Sequence, residues 1–219
     1  MESAVNDRRA YAGTARQART RRTRAAVVEA AGELFLERGY SATTIEAISE
    51  SSDTPQATIY RVFSSKLGIL RALLDVAAGG DAEPIAMGDR PQVRALLDEG
   101  DPRHQLLGFA GHARQVMSRL APVHRILLVA AGSDPDAAEL LTEHTRQRQE
   151  GQRRIARSLA RARALRPGLR ERDAADIIHA LMSPEVYLLL VSDRAWTPER
   201  YEQWLGRTLI EQLLPAGAP

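Results

Sequence analysis

Residues 43–66 read TTIEAISESSDTPQATIYRVFSSK, and the spacing of their apolar side chains decides the fold. Thr43-Thr44-Ile45-Glu46 has the form of a capping box, with Thr43 as N-cap and Glu46 reaching back to it. The helix that follows is short, residues 44–51, and turns Ile45 and Ile48 inward. Ser52-Asp53-Thr54-Pro55 then breaks the chain. Thr54 is placed to cap a second short helix with Pro55 in its first turn, where a missing N–H does no harm. That helix runs to Arg61 or Val62 with Ile59 inward, and Ser64 or Ser65 caps a further one over residues 66–78.

Upstream, residues 21–38 carry an apolar stripe of Val27, Ala30, Ala31, Leu34 and Phe35. Gly39 ends that helix, because glycine takes the left-handed conformation without steric cost. Two short helices joined by a tight break and braced by a longer helix on each side form a helix-turn-helix. In that layout the second short helix enters the major groove of DNA, so its outer face must be polar. Here that face carries Gln56, Thr58, Tyr60 and Arg61. Gln bonds adenine through two atoms, and Thr meets the thymine methyl. Thr43 and Thr44 at one helix start and Lys66 at another are candidate phosphate holders, since helix N-termini favour anions.

Residues 24–75 resemble the DNA-binding domain of TetR-family transcriptional regulators. The resemblance lies in Ala31, Leu34, Phe35, Gly39, Tyr40, Thr43-Thr44-Ile45, Ile48, Thr58-Ile59-Tyr60, Phe63, Ser65-Lys66 and Leu70. It implies a small N-terminal DNA-binding domain followed by a larger all-helical domain that binds small effectors and dimerises through its last two helices. It also implies phosphate contacts from Thr43, Thr44, Tyr60 and Lys66, and base or backbone contacts from Gln56, Thr58 and Arg61. The sequence departs from the family at the turn, where Asp53 stands for the usual glycine and Thr54 for an apolar residue. Asp tolerates the left-handed region better than most residues, so the turn survives. Pro55-Gln56 replaces a more common Ser-Lys pair, which makes the recognition helix less basic and implies an atypical operator.

Charge points the same way. The 219 residues have a net charge of only +2, but residues 8–24 hold seven arginines and no acid, among them Arg22 and Arg24. The rest of the chain carries 23 basic and 28 acidic side chains. A basic arm on an acidic body suits an anionic polymer. The expected division is a disordered basic arm over residues 1–20, a helix-turn-helix domain over 21–78 and a helical effector-binding and dimerisation domain over 79–219. The fold expected is all-α. Lys66 is the chain's one lysine, and there is no cysteine, which excludes disulfides, Cys–zinc sites and thiol redox switches. No continuous apolar run approaches the roughly 18–20 residues of a membrane span. The N-terminus lacks the apolar core of a secretory signal, and a cytoplasmic location is expected.

The remainder is periodic throughout, with helices expected near residues 91–99, 102–120, 122–133, 136–164, 172–191 and 197–214. Residues 122–133 are apolar nearly all round and read as buried. On residues 136–164, His144, Arg148 and Gln152 interrupt an apolar face. They make the candidate wall of a pocket for a polar or anionic effector, with His112, Met117, Met182 and Tyr187 at its border. The five histidines show no metal spacing, no cofactor motif occurs, and no catalytic set appears. Excess apolar surface on the last two helices fits a two-fold homodimer. The reading is a ligand-responsive DNA-binding regulator, most simply a repressor released from a near-palindromic operator. A regulator without a small ligand and a helical carrier or enzyme are the alternatives.

Overall fold

The computed structural model describes residues 2–81, 83, 85 and 87–217, with side chains from residue 18 onward. Every regular element among them is helical. The chain divides into two compact units, Met1–Leu73 and Leu74–Pro219. The boundary falls five residues before the expected one at 78/79.

The first unit is built from α1 (Glu2–Arg38), α2 (Ile45–Ser51), α3 (Gln56–Phe63) and the start of α4 (Lys66–Gly79). α1 begins at Glu2 and not at residue 21, so the arm expected to be disordered is helical here. It contains no proline, and alanine and arginine are strong helix formers. The core gathers Val27, Ala31, Phe35, Ile48, Ile59, Phe63, Ile69 and Leu70, all buried. Gly39 takes φ +82° and closes α1, its N–H donating to the Phe35 carbonyl at 3.1 Å. Asp53 has φ +47° in the turn between α2 and α3, the left-handed geometry for which glycine is the usual residue.

Two caps differ from expectation. The N-cap of α2 is Thr44, whose hydroxyl accepts from Ala47 N–H at 3.1 Å. Thr43 is buried instead. Its hydroxyl lies 2.9 Å from the Gly39 carbonyl and 3.2 Å from that of Leu34, one proton shared between them. At α3, Pro55 is the N-cap and supplies no side-chain bond. Thr54 is buried, and its hydroxyl donates to the Ser52 carbonyl at 3.1 Å. α4 is capped by Ser65, whose hydroxyl accepts from Gly68 N–H at 3.1 Å. A side chain at Gly68 would collide with the backbone carbonyl of Phe63.

The second unit comprises a 3₁₀ turn (Met87–Asp89), α5 (Pro91–Leu97), α6 (Pro102–Ala131), α7 (Pro135–Arg161), α8 (Glu171–Leu181), α9 (Pro184–Tyr187), a π-helical turn (Leu188–Asp193) and α10 (Pro198–Leu213). Four of its helices start alike, with a capping Asp101, Asp134, Ser183 or Thr197 followed by proline. α6 is the central element and packs on α7, α9 and α10, while α7 and α10 also pack on α8. Pro122 lies inside α6, where a break had been expected. Losing one backbone donor is outweighed by burial on both sides of it, at Leu120, Ala121, Val123 and Leu127. The end of that helix is not buried all round: Leu128 and Val129 are exposed.

Glu171–Asp193 is long and apolar enough, by length and composition, to cross a membrane. The absence of such a segment had been expected because no single apolar run is that long. The structure breaks this stretch at Met182-Ser183, where the Ser183 hydroxyl caps a new helix by accepting from Val186 N–H at 3.1 Å.

Candidate nucleic-acid interface and effector cavity

The exposed face of α3 carries the side chains predicted for it. Gln56 and Arg61 are exposed, Tyr60 is 51% exposed and Thr58 is half-buried. Ile59 and Phe63 face the opposite way and are buried, so the core holds the helix while its polar face stays free. Of the arginines on α1, Arg22 is exposed. Arg24 is half-buried, with its guanidinium 5.0 Å from the centre of the Phe63 ring. A cation over an aromatic face is attracted by the ring quadrupole, which fixes the side chain beside α3.

Two expected phosphate holders sit elsewhere. Thr43 is buried with its hydroxyl bonded to backbone, and Thr44 alone occupies the exposed helix start. Lys66 turns toward the loop that joins α1 to α2. Its Nζ donates to the carbonyls of Tyr40 at 2.7 Å and Thr43 at 2.8 Å, approaches that of Ser41 at 3.5 Å, and stands 4.4 Å from the Tyr40 ring centre. Its charge neutralises loop carbonyls, so it is a positioning residue for the start of α2. No spacing in the sequence distinguishes a lysine that reaches outward from one that reaches back across 23 residues.

Within the second unit, the end of α4, the 3₁₀ turn, α5, α6 and α7 enclose a cavity of about 160 Å³. His112, Met117, His144, Arg148, Gln152 and Met182 line it, as expected. Tyr187 does not. Its hydroxyl is 2.9 Å from that of Ser118, and its ring packs edge-on against Tyr201 at 4.9 Å. Phe109, Val116, Leu120 and Ile155 add an apolar wall. The α5 side, with Val93, Leu96 and Leu97, was not foreseen, because a seven-residue helix has too few turns to display its inner face. The 3₁₀ turn is held by Arg90, which pairs with Asp81 through two bonds of 2.8 and 2.9 Å and keeps that carboxyl down at about 2.

His144 of this wall packs against a second imidazole, His124, that does not line the cavity. His124 and His144 have ring centres 5.7 Å apart, and His124 Nε2 lies 3.1 Å from Glu185 Oε1. Burial pushes both imidazoles down, His144 to about 4; the Arg148 charge adds to the effect, and Glu185 pulls His124 the other way without overturning it. Both rings are therefore uncharged at neutral pH. Burial also pushes the Arg148 guanidinium down. Its Nε and Nη2, like His144 Nε2 and His124 Nδ1, are buried without a hydrogen-bond partner. Gln152 is satisfied, its Oε1 2.7 Å from His179 Nδ1.

These features define a two-unit, all-helical protein with an N-terminal helix-turn-helix and a cavity in its second unit. Residues 27–73 match the family described as bacterial regulatory proteins, tetR family. Residues 27–73 are thus a TetR-family DNA-binding domain. It is 30% identical over 154 residues to the HTH-type transcriptional regulator TcmR of Streptomyces glaucescens, covering 66% of this chain and 62% of that protein. It is 41% identical over 54 residues to the uncharacterised HTH-type transcriptional regulator YvkB of Bacillus subtilis, covering 25% of this chain and 29% of the relative. The chain thus matches less than two thirds of the length of either. Among solved structures, the complex of SmeT with triclosan aligns with TM-score 0.70 at 20% identity, over 89% of this chain and 93% of the other. NalD, the secondary repressor of the MexAB-OprM multidrug efflux pump in Pseudomonas aeruginosa, aligns with TM-score 0.66 at 22% identity, over 89% and 98%. Likeness at that identity establishes a shared fold.

Proposed function

We propose that this protein is a transcriptional repressor that leaves its operator when a small effector fills the cavity. The observation that carries the reading is the face of α3, where Gln56, Tyr60 and Arg61 stand free on a helix anchored by Ile59 and Phe63. Gln56 and Thr58 read bases, Tyr60, Arg61 and Thr44 contact the backbone, and Arg22 and Arg24 extend the basic surface along α1. Lys66 and Thr43 hold the loop between α1 and α2 in shape and do not touch DNA. The effector binds at Met117, His144, Arg148, Gln152 and Met182, with His112 at the rim. It acts by favouring the state that binds DNA less well, and its effect is bounded by its differential affinity for the two states. The relationship to TcmR, and the fold shared with SmeT in its triclosan complex and with NalD, support this reading.

A homodimer through α8–α10 completes the proposal. Ile177, Leu181, Leu188, Trp204 and Ile210 are only half-buried in the single chain, and Leu189 is exposed. A two-fold pair presents two α3 helices to a near-palindromic site. The protein acts in the cytoplasm, where its DNA is. The test is fluorescence anisotropy with DNA flanking its own coding region. With roughly 6–10 phosphate contacts per dimer, affinity falls about 10³–10⁵-fold between about 50 and 200 mM salt. A flat salt dependence would overturn the proposal.

A further inference from the structure

We infer that the cavity takes a small carboxylic acid with an apolar body, about the size of one aromatic ring, and that Arg148 receives the carboxylate. The inference rests on reading the cavity as the effector site and specifies the chemical class of that effector.

Size sets the body. The cavity measures about 160 Å³, and a dry cavity of roughly 150 Å³ accepts benzene. Phe109, Val116, Met117, Leu120, Ile155 and Met182 give that body an apolar bed. Charge sets the head group. Nε–H and Nη2–H lie on one edge of the guanidinium, the fork that matches a planar carboxylate through two parallel bonds. On Arg148 these two nitrogens are buried without a partner. Arg148 forms no ion pair among the described residues, and Glu185, whose charge it feels, bonds His124 instead. A cation whose bonding edge is covered and has no counter-ion is costly, and an acid in the cavity supplies the missing charge.

Other guests fit less well. A neutral one leaves Arg148 unpaired. A cationic one faces both Arg148 and Arg154 on the lining, where the one carboxylate among the described residues, Asp75, is already partnered within the protein. His144 is uncharged and does not compete with the guest for Arg148. Nε and Nη2 of Arg148 are covered in the structure, so pairing with the acid requires the guanidinium to turn that edge to the cavity.

The test is calorimetric titration of the full chain at neutral pH with benzoate, phenylacetate and hexanoate, each beside its neutral amide. The acids bind about tenfold or more tighter than the amides. Arg148→Gln erases the preference, while Arg148→Lys, which keeps the charge and loses the fork, retains a reduced one. Equal binding of acid and amide, an undiminished preference in both variants, or no binding by any of the three acids would each overturn the inference. Operator release separates this from the function proposed above. An acid that binds through Arg148 without releasing DNA sinks the effector reading alone. An amide that binds equally and releases DNA sinks the carboxylate alone.

Discussion

The imidazoles of His124 and His144 stand 5.7 Å apart in the second unit, both buried and both with a ring nitrogen that finds no partner. Such a pair is held uncharged by its surroundings, and the folded state is stable only where that form is cheap. His144 has a folded value of about 4 against 6.5 for the free side chain. Between these values the unfolded chain binds the proton and the folded chain does not, so stability is complete above about pH 6.5 and is lost as pH falls toward 4. His144 alone contributes on the order of 2–3 kcal/mol to this loss. Denaturant titrations across that range measure it, and His144→Gln removes its share while the lowered His112, His124 and His179 keep theirs.

Gln56 is exposed at the first turn of α3 and makes no side-chain bond among the described residues that would hold it away from a base. Gln56→Ala therefore shifts sequence preference by about 1–3 kcal/mol at one position of each half-site and leaves thermal stability alone. Selection from randomised half-sites reads this out. An unchanged preferred sequence would return Gln56 to the solvated surface.

Lys66→Met acts on the fold. Removing the ammonium strands the carbonyls of Tyr40 and Thr43 and loses the contact with the Tyr40 ring, at a cost of about 1–3 kcal/mol in the first unit. The slope of log affinity against log salt stays as in the unchanged protein. A slope reduced by about one would instead place Lys66 on a phosphate.

Adjacent threonines separate by role. Thr44→Val removes the cap of α2 and costs about 1 kcal/mol, and it also weakens DNA binding because Thr44 is exposed at the helix start. Thr43→Val lowers stability by a similar amount through the lost bonds to Gly39 and Leu34, with no change in the salt slope. Thermal denaturation and anisotropy on the same preparations distinguish them.

Gly68→Ala is the most damaging small change in the first unit. The added carbon meets the Phe63 carbonyl, and that backbone leads into Ser64, itself at φ +64°. A loss of about 1–3 kcal/mol follows from overpacking against backbone that has nowhere to move. Calorimetric scans would detect it as a lowered transition for this unit.

The first unit was legible because its signals are local. Glycine at 39, the break at 52–55 and apolar spacing at Ile48, Ile59 and Phe63 each fix one junction with residues a few positions away. What escaped were side chains with two physically sound uses. Thr43 satisfies a capping pattern as well as Thr44 does, and only burial chooses between them. Lys66 satisfies an anion site or a set of carbonyls, and tertiary structure decides. Pro122 marks a helix start as convincingly as Pro102 or Pro135, but its flanks pack on both sides and the helix continues. In the cavity, the face of α7 was readable because His144, Arg148 and Gln152 interrupt an apolar stripe. Tyr187 was misplaced because the break at Ser183 turns the chain before it.

Lys66 has one more consequence. As the sole lysine of the chain, it is the sole side-chain target for amine-directed reagents, and its Nζ is engaged by carbonyls whenever the loop between α1 and α2 is closed. Acylation at that atom must wait for the loop to open, so the labelling rate is a clock for local opening of the first unit. Mass spectrometry of a single tryptic peptide would then time how often that loop comes apart, with and without DNA, in a protein carrying no added probe.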